Sequence, residues 1–191
     1  MKTLAAVVGG LLLGLAAFFA FTIGFGGGDA GAVQIGGPFA LKNASGQTVT
    51  DKDFRGKVML VFFGYTNCPD ICPAELQKIG QAMDKLGPKA SRLAPIFISV
   101  DPERDSPQIV DAYAKSANSG IVGLTGSTDE VQKAAKAYRV FFRKAPDKAG
   151  GSYVVDHSTI TYVMGPDGKY LTHFTFETSP ETMAATLSKY L

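Results

Sequence analysis

Cys68 and Cys72 are the only cysteines in this 191-residue chain. They lie within Gly-Tyr-Thr-Asn-Cys-Pro-Asp-Ile-Cys-Pro (64–73), with Pro69 and Pro73 beside them. From Ala74 the apolar period is helical, with Leu76, Ile79, Met83 and Leu86 on one face. The pair therefore sits at a helix start, where free N–H groups and the positive end of the dipole favour thiolate over thiol. Two sulfurs one helical turn apart point the same way, and can close a disulfide or grip one soft metal ion. A purely structural bridge is the plainer alternative, but so small a loop stabilises little beside the ~3 kcal/mol of a fifteen-residue loop. A short, proline-flanked pair suits reversible opening or ligation better.

The chain has two histidines. His173 lies in the alternating strand Tyr170–Phe174 and reads as a satisfied surface histidine. His157 sits in a loop after Tyr153-Val154-Val155-Asp156 and gains meaning only if the fold carries it to the cysteines. Two thiolates and one imidazole make a soft, low-coordinate site. Thiolates favour Cu(I) and imidazole also suits Cu(II), so the set holds either oxidation state. A structural zinc wants four ligands, and no fourth soft ligand is offered. Met59, Met83 and Met164 fall on apolar faces and read as core. Asp70, Asp101, Asp105 and Asp156 read as turn and cap residues, with Asp156 a candidate to orient His157.

These residues need elements to position them. Val58 to Phe63 is a continuous apolar run that suits a strand buried on both faces. Ala94 to Val100 is a second, ending in the polar loop Asp101-Pro102-Glu103-Arg104-Asp105. Gln34 to Thr50 reads as a short hairpin around Asn43-Ala44-Ser45-Gly46. Ser106-Pro107, the Ser127/Glu130 capping box and Ser179-Pro180 each open a helix. Ile121–Leu124, Val140–Phe142 and Tyr153–Val155 are short strand candidates, and Gly165-Pro166-Asp167-Gly168 turns a hairpin between Ile160–Met164 and Lys169–Phe176. Strand–helix–strand order followed by an antiparallel pair and a closing helix predicts an α/β sandwich with a mixed sheet. Sites in open α/β sheets gather at the C-terminal ends of strands, where Cys68 and Asp101 fall.

Between Lys2 and Asp29 the chain carries no charge. As a helix that stretch spans about 39 Å at ~1.5 Å per residue, more than the ~30 Å hydrocarbon core. We expect an uncleaved membrane anchor over residues 1–28, a linker over 29–37 and a soluble domain over 38–191. A signal sequence cleaved near Ala30-Gly31-Ala32 is the alternative. Lys2 as the one charge before the span leaves the N-terminus in the cytoplasm and exports the domain. The lack of an Arg-rich transit segment points to a bacterial inner membrane, single-pass, with the domain in the periplasm. A net charge of +2 without a Lys/Arg run gives nucleic-acid binding no electrostatic support.

With Ser-Val-Asp-Pro-Glu-Arg-Asp (99–105), Val-Asp-His-Ser (155–158) and Gly-Pro-Asp-Gly (165–168), the cysteine turn resembles the Sco/SenC family over nearly all of the chain beyond the linker. The resemblance implies a thioredoxin-like fold and copper held by Cys68, Cys72 and His157. It also implies delivery of copper, or of reducing equivalents, to the binuclear copper centre of cytochrome c oxidase subunit II. Thioredoxin has two residues between its cysteines and a cis-proline opposite. Here there are three, and Asp156-His157-Ser158 contains no proline, which argues against a general disulfide exchanger. The expectation is thus a membrane-tethered copper chaperone served by an upstream copper donor and a thiol reductant. The alternative is a thiol–disulfide oxidoreductase with Cys68 and Cys72 as its redox-active pair. A peroxidase lacks support, because the Pro-x-x-x-Thr-x-x-Cys pattern is missing ahead of Cys68.

Overall fold

The computed structural model describes residues 34–146 and 153–191. Ile35–Leu191 forms one compact unit. The expected N-terminal span lies outside the described residues, and among those described no helix is long and apolar enough to cross a membrane.

The apolar runs become the two central strands, β3 (Val58–Gly64) and β4 (Leu93–Ser99), parallel and buried at every position. They follow the hairpin of β1 (Ala40–Lys42) and β2 (Thr48–Thr50). β5 (Val122–Leu124) extends the sheet in parallel beyond β4. On the far side of β3 lies β8 (Thr161–Met164), antiparallel, and then β9 (Tyr170–Phe174), giving the order β5-β4-β3-β8-β9. A separate antiparallel ribbon pairs β6 (Phe142–Ala145) with β7 (Val154–His157). A mixed sheet with helices is the expected architecture.

Among the described residues, four α-helices accompany these strands: α1 (Ile71–Leu86), α2 (Pro107–Ala117), α3 (Thr128–Ala137) and α4 (Pro180–Leu187). Three start where the sequence predicts, because a serine hydroxyl accepts a free backbone N–H at each: Ser106 from Ile109, Ser127 from Glu130 and Ser179 from Thr182. The start of α1 differs from expectation. It begins at Ile71, so Cys72 lies in its first turn and Cys68 precedes it. The apolar stripe hides this, since Ile71 and Pro73 stand before the first fully periodic residues. Leu76, Ile79, Met83 and Leu86 are buried as predicted, and α1 packs against α2 and α4. The methionines named from the sequence are core.

Candidate metal centre

The cysteine turn leaves β3 at its C-terminal end. Gly64 is the last residue of that strand, and a Cβ there would come within 2.7 Å of Cys72 Sγ and 2.8 Å of the Phe97 ring. Glycine thus makes the space in which the Cys72 sulfur sits. Cys72 is fully buried and Cys68 partly exposed, and both are free thiols. Cys68 lies ahead of the helix, and its sulfur accepts the Cys72 backbone N–H at 3.3 Å. The sulfur does here what a serine hydroxyl does at the other helix starts.

His157 reaches this turn. Expected in a loop, it is the last residue of β7, paired with Phe142. The strand ends later than the apolar run suggests: β7 runs on through Asp156 and His157 because Arg143 and Phe142 of β6 pair with them. His157 Nε2 is 3.4 Å from Cys72 Sγ. Its Nδ1 is 3.0 Å from the Ser158 carbonyl, to which only a protonated nitrogen can donate. That contact keeps the proton on Nδ1 and turns the Nε2 lone pair toward the sulfurs. The imidazole is held edge-on by Tyr65, at 5.8 Å between centroids, and by Phe62, at 6.2 Å. The orienting role expected of Asp156 is not found. Its carboxylate pairs outward with Arg143 at 3.1 Å, as alternation along β7 requires.

The ligand atoms of Cys68, Cys72 and His157 all lie within 4.8 Å of one another. Thiolate bonds of about 2.3 Å and an imidazole bond of about 2.0 Å put trigonal ligands roughly 4 Å apart, so small side-chain movements close the set on one ion. The electrostatics divide the pair. Hydrogen bonding from the Cys72 thiol, more than any other cause, draws Cys68 down to about 4, against burial and with help from two backbone N–H groups. Donating that bond, together with burial, pushes the Cys72 thiol far up. One sulfur is thus a poised thiolate and the other a buried thiol that releases its proton when a metal or a disulfide replaces it.

The loop after β4 does more than turn. Asp105, buried, accepts from the Thr66 backbone N–H at 2.9 Å, the Thr66 hydroxyl and the Ser99 hydroxyl. Asp101, also buried, accepts from the Tyr153 hydroxyl at 2.7 Å and from Arg104 Nε. Both were expected to be turn and cap residues, and a buried carboxylate cannot be told from an exposed one by sequence position alone. Arg104, Tyr153, Thr66 and Ser99 stand in the sequence only as members of motifs and a strand, with no local signal of their partners. His173 matches its reading: it is exposed and paired with the Tyr170 hydroxyl at 2.6 Å.

Fold and site together define a thioredoxin-like α/β domain in which a Cys-x-x-x-Cys turn at a strand end faces a histidine from a neighbouring ribbon. The chain belongs to the SCO1/SenC family, whose profile matches residues 27–191. It is 40% identical over 163 residues to the human mitochondrial SCO1 homolog, a match covering 84% of this chain and 54% of that one. The chain spans about half the length of the first curated relatives it matches. Among solved structures, Bradyrhizobium japonicum ScoI with copper bound is 43% identical at a TM-score of 0.75, covering 82% of this chain and 99% of that one. BsSco, described as a member of the Sco family of cytochrome c oxidase assembly proteins and as containing a disulfide switch, is 28% identical at a TM-score of 0.62. That match covers 82% of this chain and 93% of BsSco.

Proposed function

We propose that this protein is a membrane-tethered copper chaperone that delivers copper to the binuclear copper site of cytochrome c oxidase subunit II during oxidase assembly. Cys68, Cys72 and His157 hold the cargo. The observation that carries this reading is the meeting of those three side chains within 4.8 Å, although 85 residues separate Cys72 from His157. The donor set fits: two sulfurs and one nitrogen suit copper in either oxidation state, and the set is too small for a closed zinc site. Copper-bound ScoI from Bradyrhizobium japonicum, a relative by sequence and fold, supports the same cargo.

The chain's own chemistry follows from the asymmetry of the sulfurs. Cys68, as thiolate and partly exposed, meets the incoming ion first. Cys72 then gives up its proton and binds from below, and Nε2 of His157 completes the set without proton movement. Three ligands leave room for a thiolate of the acceptor, so transfer proceeds by ligand exchange. An upstream donor supplies copper and a thiol reductant keeps the pair open, because an exported compartment favours the disulfide. The uncharged stretch between Lys2 and Asp29 anchors the domain in the bacterial inner membrane, facing the periplasm.

The second reading is thiol–disulfide exchange, and the depressed Cys68 thiol favours it specifically. Cys68 attacks a partner disulfide and expels one partner thiolate. Cys72, losing its proton, attacks the mixed disulfide and expels the other. The partner leaves reduced, Cys68–Cys72 is left oxidised, and an external dithiol restores it. His157→Ala separates the two readings. Copper transport predicts at least a tenfold loss of copper affinity and of oxidase assembly in cells, whereas exchange predicts that oxidase assembly survives the substitution.

A further inference from the structure

The two halves of the site come from distant parts of the chain, and one short loop touches both. At one end, Asp105 holds Thr66, two residues before Cys68, by its backbone and its hydroxyl. Ser99 joins the ends, donating its hydroxyl to Asp105 and accepting the Asp101 backbone N–H at 3.1 Å. At the other end, Asp101 and Arg104 grip Tyr153. Asp101 takes its hydroxyl, Arg104 donates to its carbonyl at 3.0 Å, and the guanidinium lies over its ring at 3.7 Å. Tyr153 immediately precedes β7. Side chains alternate along a strand, so Tyr153, Val155 and His157 share one face, and the grip on Tyr153 is on the same side as the imidazole. The Val155 backbone N–H meets the Tyr65 hydroxyl, adding a support midway.

We propose that the loop Asp101–Asp105 is the spacer that sets the separation of the sulfurs from the imidazole, with Asp101, Arg104 and Tyr153 as positioning residues for His157. The inference rests on the metal reading given above. A strand gripped only through its pairing with β6, in a two-stranded ribbon outside the main sheet, has little to hold its register against the cysteine turn. The loop supplies that hold through charge-assisted bonds from a buried carboxylate and a planar guanidinium.

Tyr153→Phe removes one hydroxyl and keeps the ring, and Arg104→Lys keeps the charge and loses the fork. In the full reduced chain titrated with Cu(I) against a competing chelator, each variant is expected to bind about tenfold more weakly. With His157→Ala already present, Tyr153→Phe should change the affinity less than about twofold, since its effect runs through the imidazole. Wild-type affinity in both variants, or an equal loss with and without His157, overturns the proposal. A wild-type chain that binds no copper refutes the metal reading instead. The metal-free His157 ring resonances then decide the positioning role: one sharp set in wild type that doubles or broadens in Tyr153→Phe sustains it, and identical spectra overturn it.

Discussion

Cys68 and Cys72 differ by environment alone, and the difference sets a pH signature. The Cys72 thiol and nearby N–H groups hold Cys68 down at about 4, against an ordinary thiol at 9.0. Between those values the folded chain carries a thiolate where the unfolded chain binds a proton, so this contribution to stability grows as pH rises and is lost as pH falls toward 4. Alkylation of the reduced protein by iodoacetamide should therefore be fast at pH 6, fall only near pH 4, and map to Cys68. An inflection near 9 would contradict the assignment. Gly64 gives a second test at this scale. Gly64→Ala drives a methyl into Cys72 Sγ and the Phe97 ring, and overpacking of that kind costs about 1–3 kcal/mol. We expect a lower melting temperature and loss of copper binding together. The cysteines and His157 were legible in the sequence because few other residues carry that chemistry. Asp101 and Asp105 were visible only as a polar loop, since nothing local distinguishes a carboxylate that distant hydroxyls will surround.

Among the elements, α1 carries a buried carboxyl. Glu75, on its buried face, accepts the Thr161 hydroxyl of β8 at 2.7 Å through one oxygen, while the other has no hydrogen-bond partner among the described residues. Burial raises its pKa above the ordinary 4.5, outweighing the Thr161 bond and the pull of Lys78. A raised carboxyl binds its proton more tightly in the folded state, so stability falls as pH rises from 4.5 to the folded value. Glu75→Gln removes that dependence, and its melting temperature relative to wild type should increase over that window. A constant difference would contradict it. The sequence showed the strands and most helix starts, because long apolar runs and serine caps are local signals. The ribbon was harder. His157 was read as loop because β6 and β7 are short and stabilise one another across the chain, an effect invisible to either segment by itself.

The compact unit Ile35–Leu191 is preceded in sequence by a stretch, between Lys2 and Asp29, that carries no charge. Expressed in bacteria, the full chain should sediment with membranes and resist carbonate extraction, while residues 35–191 alone should be soluble and bind copper equally well. Release of the full chain by carbonate would remove the anchor from the account and leave the site intact. The proposed copper site depends on the whole fold, since the parallel pair β3–β4 delivers the cysteine turn and the ribbon delivers the histidine. The most direct test is the absorption spectrum of the reduced full chain during Cu(II) titration, with His157→Ala in parallel. The account predicts thiolate-to-copper charge transfer that saturates at about one ion per chain and collapses in the variant. The absence of such a band from wild type, or an unaltered band without His157, would contradict it.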